Sequence, residues 1–269
     1  MKPGLIAFLY LLIPHIISAT DYLRSADVRC LALGGNEVTF SPMFNPALTV
    51  GEPPSLQLNY FNRYAMKELG LASGLLILRQ PALSGGIHIA SFGYDAWRES
   101  MFRLALGKSL SDGLALGLSL QYAVLQTELY DEQPAQLSVD VGLSLEPVEG
   151  LSLGLLLMNY PSAVISADSD SRQREFMPPR IQVGVRWQAG DDLILAATLD
   201  CARFRTVGLH AGMAYRAFEC LELRGGMELP SLLPAFGLGY EWAPLAVDAA
   251  AVYHPMLGFS YGVGVSYIF

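Results

Sequence analysis

The carboxyl-terminal stretch Gly258 to Phe269 alternates in steps of two. Phe259, Tyr261, Val263, Val265, Tyr267 and Phe269 form one set; Gly258, Ser260, Gly262, Gly264 and Ser266 form the other, with Ile268 the exception. A strand puts such sets on opposite faces, whereas a helix would mix them on every face. The same dyad recurs along the chain. Leu114, Leu116, Leu118, Leu120 and Tyr122 interleave with Ala115, Gly117, Ser119, Gln121 and Ala123. Ile181, Val183, Val185 and Trp187 interleave with Gln182, Gly184 and Arg186. A soluble sandwich would carry Lys, Glu and Thr on its outer face. Here the second face is small and polar, and the apolar face ends in aromatic residues. That pattern predicts lipid outside, aromatic girdles at the interfaces and a polar lumen inside.

Composition agrees with a membrane protein. Hydrophobic residues make up 52% and charged residues 16%, against roughly 25% charge in soluble domains; the mean hydropathy is +0.35. The two long uncharged stretches, 150–167 and 249–269, are broken by Asn159-Tyr160-Pro161-Ser162 and by His254-Pro255 with several glycines. A closed sheet is the remaining way for a backbone to cross lipid with every polar group paired. The net charge of −8 excludes a nucleic-acid binder, which needs a basic face.

The dyads divide residues 55–269 into about fourteen strands: 55–63, 70–79, 84–93, 97–107, 113–127, 134–146, 151–159, 179–188, 192–201, 206–217, 220–228, 233–242, 245–254 and 258–269. The expected fold is all-β, a closed antiparallel transmembrane barrel with both termini periplasmic. The periplasmic turns are then Gln80–Leu83, Lys108–Asp112, Pro147–Gly150, Ala189–Asp191, Phe218-Glu219 and Ala243-Pro244, all short. The longest connection, Tyr160 to Pro178, falls outside the cell. Such a barrel leaves Leu118→Arg more damaging than Ser119→Arg, since only the first position meets lipid.

Before the barrel the chain divides in two. Met1-Lys2, an apolar run from Leu5 to Ile17 and Ser18-Ala19 read as a cleaved secretory signal over residues 1–19. Residues 20–54 do not alternate. They hold Leu31-Ala32-Leu33-Gly34-Gly35-Asn36 and Phe44-Asn45-Pro46-Ala47-Leu48. An apolar run ended by Gly-Gly and followed by an Asn-Pro turn suits a segment plugging the lumen, with Ala26 to Ala47 in its periplasmic half. A loose periplasmic leader is the alternative.

The inward-facing set carries Arg103, Asp140, Arg186, Asp200, Arg216, Glu222, Arg224 and Asp248, together with Glu228 and Glu241. Buried charges must be paired or hydrated, so these read as a salt-bridge ladder or, alternatively, as a polar conduit. No nucleophile and base stand at a recognisable spacing, so no catalytic residue is expected. His88, His210 and His254 lie on different strands and read as lumen or rim residues, without a metal or cofactor. Cys201 and Cys220 flank one strand and would sit roughly 40 Å apart, far beyond the ~7 Å that a disulfide bridges. Tyr267 and terminal Phe269 read as the signal for the outer-membrane assembly machinery.

The Arg24-Ser25-Ala26, Leu33-Gly34-Gly35 and Asn45-Pro46-Ala47-Leu48 pattern ahead of outer-membrane strands resembles the FadL/OMPP1-type barrel superfamily. Within it the chain is most similar to the smaller PorV/PorQ-type proteins, and the 102–117 hairpin carries the same likeness. The positions matching the amino-terminal motif are Gly34, Gly35, Asn45, Pro46 and Ala47. The resemblance implies a non-enzymatic outer-membrane protein serving type IX secretion, with secretion-system proteins or secreted cargo as partners besides outer-membrane lipid. The alternative is a FadL-like transporter of small hydrophobic molecules. The short loops depart from the long lipid-collecting loops of fatty-acid transporters.

Overall fold

The computed structural model describes residues 23, 27–80, 83–128, 133–165, 177–203 and 206–269. The expected signal peptide lies outside these residues, as does part of the long extracellular connection. The strands are β1 Ser55–Asn62, β2 Gly70–Arg79, β3 Ser84–Tyr94, β4 Trp97–Ser111, β5 Leu114–Thr127, β6 Ala135–Val148, β7 Leu151–Met158, β8 Ser162–Ile165, β9 Arg180–Gln188, β10 Leu193–Ala202, β11 Thr206–Phe218, β12 Leu221–Leu229, β13 Leu233–Trp242, β14 Leu245–His254 and β15 Gly258–Ile268. Every pairing is antiparallel. β1 closes on β15 from Ser55↔Ile268 to Asn62↔Tyr261, and β5 joins β6, so fourteen strands form a closed barrel. Closure leaves no open edge in lipid. Among the described residues no helix is long and apolar enough to cross a membrane.

Most strand ends fall within two residues of the sequence reading, and two places differ by more. β4 runs four residues past Gly107, because Lys108, Ser109 and Ser111 still pair with β5 through a bulge. The connection read as loop after residue 159 contains β8, which pairs with the extracellular end of β6 from Ala135↔Ile165 to Ser138↔Ser162. β8 continues the line of β7 beyond a break at Asn159, whose φ is +56°. Asn tolerates that left-handed conformation better than most residues, so a spanning strand can stop, jog and resume there.

The face assignment follows the alternation. Leu118 and Leu120 are about half exposed, while Ser119 and Gln121 between them are buried. Exposed aromatics mark both rims: Trp187, Phe218, Trp242, Tyr267 and Phe269 at the periplasmic end, and Tyr60, Tyr94, Tyr122 and Tyr253 towards the outside. Leu118→Arg, which puts a charge in mid-bilayer, is expected to cost about 2–4 kcal/mol of barrel stability in lipid vesicles, and Leu118→Ala far less. Equal losses would mean that the face is not lipid-exposed. Ser119 is no hydrated counterpart, however. It is 3% exposed and its hydroxyl donates to Asp140 Oδ2 at 2.8 Å. The lumen at this level is filled.

Candidate functional site

Residues ahead of β1 lie against the inner wall. Helix α1, Val28–Ala32, is capped by Asp27, whose side chain accepts from the Arg29 and Cys30 amides and from the Ser41 hydroxyl at 2.5 Å. α1 packs on β13, β14 and β15. The chain then turns at Gly34 and Gly35, with φ +72° and +87°, a region that residues with a Cβ resist. There it meets the backbone of Met227 and Ala211 on β12 and β11. Further on, Val38 lies against Gly154 and Gly184 of β7 and β9, Asn45 and Pro46 against Gly142 and Gly117 of β6 and β5, and Thr49 against Gly107 and Gly86 of β4 and β3. The segment therefore passes round the inner wall from β15 to β3. The wall glycines are where it touches: a Cβ at Gly142 would overlap the Asn45 side chain.

The five motif residues have distinct places. Gly34 and Gly35 make the turn beside β11 and β12. His210 Nδ1 lies 2.7 Å from the Gly34 carbonyl; a carbonyl only accepts, so this nitrogen carries the proton. Asn45 caps the 3-10 turn Pro46–Val50 by accepting from the Ala47 amide at 3.1 Å, and its Nδ2 donates to the carbonyls of Val38 at 2.8 Å and Leu143 at 3.3 Å. Asn45→Ala leaves buried carbonyls without that donor, which costs about 1–3 kcal/mol. The expected readout is a lower unfolding midpoint in detergent, with an unchanged midpoint counting against the role of the cap.

A polar network connects the segment to the extracellular side. Arg103 Nη1 donates to the Met43 carbonyl, and its Nε lies 3.2 Å from Asp140 Oδ2 and 3.0 Å from Gln121 Oε1. Asp140 Oδ1 accepts from the Asn159 amide at 2.8 Å, and Gln121 Nε2 donates to Asn159 Oδ1 at 3.1 Å. Asn159 Nδ2 donates to the Pro178 carbonyl at 3.0 Å, while Gln136 exchanges two hydrogen bonds with the Met177 backbone, at 2.7 and 2.9 Å. The break between β7 and β8 is thus held from inside, and residues 177–178 are held beside it.

The other lumen charges fall in three groups. Asp200 pairs with Arg180 and lies 3.7 Å from His210. Arg224 pairs with Glu222 at 2.5 Å and with Asp248. Arg186 donates to the Ser152 hydroxyl at 3.0 Å. Arg216 and Glu241 keep the inward parity but sit exposed at the periplasmic rim, so they are not part of a buried ladder. Sequence reasoning missed Arg180, Gln121, Gln136 and Asn159. Arg180 shares the parity of Gln182 and Arg186, and Gln121 that of Ser119, so parity was the available signal. His88 is buried with its ring edge-on to Phe44, at 6.4 Å between centroids, and His254 stands at the extracellular rim against Tyr64. All three cysteines are free, and burial pushes the Cys30 thiol well up. No metal-binding group of side chains occurs among the described residues.

Two cavities adjoin the segment. One, of about 240 Å³, opens on the extracellular side between Leu31, Gly34, Gly35 and Glu37 and the wall residues Phe61, His210, Ala235 and Val252. The other, of about 330 Å³, lies on the periplasmic side between Asp27, Arg29, Phe40 and Glu52 and the ends of β12 to β15. The segment lies between them.

No family model matches the sequence, and no curated protein matches it. Solved structures do. A Pseudomonas aeruginosa FadL homologue aligns with a TM-score of 0.63 at 12% identity, over 91% of this chain and 98% of its own. The Pseudomonas putida toluene transporter TodX gives 0.63 at 13%, over 92% and 99%. This chain has the fold of the FadL-type outer-membrane barrels. The monoaromatic hydrocarbon channel CymD gives 0.64 at 11%, over 92% and 98%. These FadL-type neighbours include proteins described as a toluene transporter and a monoaromatic hydrocarbon channel. Nothing in the comparisons supports the narrower PorV/PorQ likeness.

Proposed function

We propose that the protein is a non-enzymatic outer-membrane channel for small hydrophobic molecules. The observation that carries this is the extracellular cavity, floored by the amino-terminal segment. Leu31, Phe61, Leu233, Ala235 and Val252 give it an apolar wall, and Glu37, Arg63, Tyr64, His210, Glu228, His254 and Ser260 supply polar groups round it. Small-ligand sites combine an apolar wall with polar groups that fix orientation. At about 240 Å³ it takes a single-ring molecule and no long acyl chain. A compound entering from outside would rest there until the segment yields towards the periplasmic cavity. The fold shared with a toluene transporter and a hydrocarbon channel supports the reading.

The test is uptake of labelled toluene by Gram-negative cells lacking their own hydrocarbon channels. Cells carrying the protein should take it up faster than cells with an empty vector. Ala235→Trp, which fills the cavity, should return uptake to the vector level while the barrel still migrates as folded on gels. Uptake equal to the vector in cells with folded wild-type protein would overturn the proposal.

A further inference from the structure

Among the arginines that face the lumen, two stand apart. Arg103, Arg180 and Arg224 each have a carboxylate partner, in Asp140, Asp200, and Glu222 with Asp248. Arg29 and Arg186 have no carboxylate within ion-pair distance among the described residues. Both guanidinium groups instead lie against one ring, that of Phe40, at 5.7 Å and 5.5 Å from its centroid. Among the described residues the buried Arg29 Nε makes no hydrogen bond, and the Arg186 side chain donates to the Ser152 hydroxyl alone. A ring face attracts cations but does not neutralise them, and two half-buried like charges call for a counter-charge. The periplasmic cavity is lined by Arg29 and Phe40, and Arg186 lies behind it against the same Phe40 ring.

We infer that Arg29, Arg186 and Phe40 form an oxyanion-binding subsite on the periplasmic side of the segment. Guanidinium groups present planar pairs of donors that match carboxylate and phosphate oxygens. Four acids line this cavity: Asp27 caps α1, Asp248 pairs with Arg224, Glu241 sits exposed at the rim, and Glu52 has its carboxyl pushed up by burial against the pull of Arg29. The shared chemistry is the oxyanion, and two sources can supply it: the carboxylate of a small aromatic acid arriving through the lumen, or phosphate from the periplasm. Because Arg29 belongs to the segment and Arg186 to β9, the bound anion would link the two. The subsite does not depend on hydrocarbon transport, since it lies on the opposite side of the segment from the extracellular cavity.

Calorimetry on the full-length protein in a nonionic detergent tests it, with sodium benzoate, inorganic phosphate and toluene as the added compounds. At least one of the two anions should bind saturably. Arg29→Gln and Arg186→Gln should each weaken that binding at least about tenfold. Arg29→Lys, which keeps the charge but loses the planar fork, should weaken it less, and Arg216→Gln, at the exposed rim, should leave it unchanged. Folding of each variant is checked by heat-modifiable migration, and the Arg29→Lys variant keeps the comparison open if a neutral one fails to fold. Tighter benzoate than phosphate identifies an acid cargo; the reverse identifies a periplasmic solute. The inference is overturned if neither anion binds, if toluene binds as tightly as benzoate, if the two Gln variants bind normally, or if Arg216→Gln is as damaging as they are.

Discussion

In planar bilayers the intact protein is expected to be nearly silent, and a variant lacking Asp27–Ala47 to open a steady pore. The segment is seated against the barrel wall. It touches inward glycines on strands from β3 round to β13, and Val28, Ala32, Leu33, Val38, Met43 and Asn45 are buried almost completely. Those apolar side chains have their partners inside the barrel, so the seated segment is favoured over one released into water. Removing it exposes an inner wall of glycine, serine, glutamine and charge, which water fills. The barrel should survive the deletion, since its strands pair with one another all the way round. A large steady conductance in the intact protein would sink the obstruction reading and point to an open porin.

Arg103→Met is expected to lower barrel stability by about 3–5 kcal/mol, measured by urea unfolding in detergent. Arg103 and Asp140 are 2% and 0% exposed, so the substitution leaves a buried carboxylate without its cation. Ser119 and the Asn159 amide still donate to Asp140, which places the loss towards the lower end of that range. Removing both charges in Arg103→Met with Asp140→Leu should recover part of it, because the desolvated charge disappears. Arg103 also holds the Met43 carbonyl of the amino-terminal segment. The same variant should therefore raise bilayer conductance, though less than the deletion does. A change under about 0.5 kcal/mol, the scale of an ordinary surface substitution, would show that the pair is not structural.

Most of the barrel could be read from period two, because the lipid outside and the packed lumen inside select opposite side chains at successive positions. Leu118 beside Ser119 and Val263 beside Gly264 are enough to assign faces. Strand ends were less legible. Lys108 and Ser109 look like a turn in a row, yet they pair with Leu116 and Ala115, because pairing depends on what β5 offers and not on local polarity. β8 was hidden for a similar reason. Four residues after a Pro carry no usable period, and only the unpaired top of β6 makes a strand of them.

The inward charges divide the same way. Parity marks Arg103, Asp140, Arg186, Asp200 and Arg224 as inward from sequence alone, and it does so for Arg216 as well. Which of them are paired, and with what, depends on height in the barrel and on neighbours far along the chain. Arg216 ends at an exposed rim, Asp200 finds Arg180 on the next strand, and Arg186 finds Phe40 of the amino-terminal segment. The sequence by itself determined the all-β class, the faces and the near count of strands, since each rests on local alternation against two fixed solvents. The course of residues 27–50 round the wall, the two cavities and the arginines left without a carboxylate were decided only by tertiary structure. Those contacts join residues distant in the chain, such as Val38 with Gly154 and Phe40 with Arg186, and no local pattern records how a closed wall brings them together.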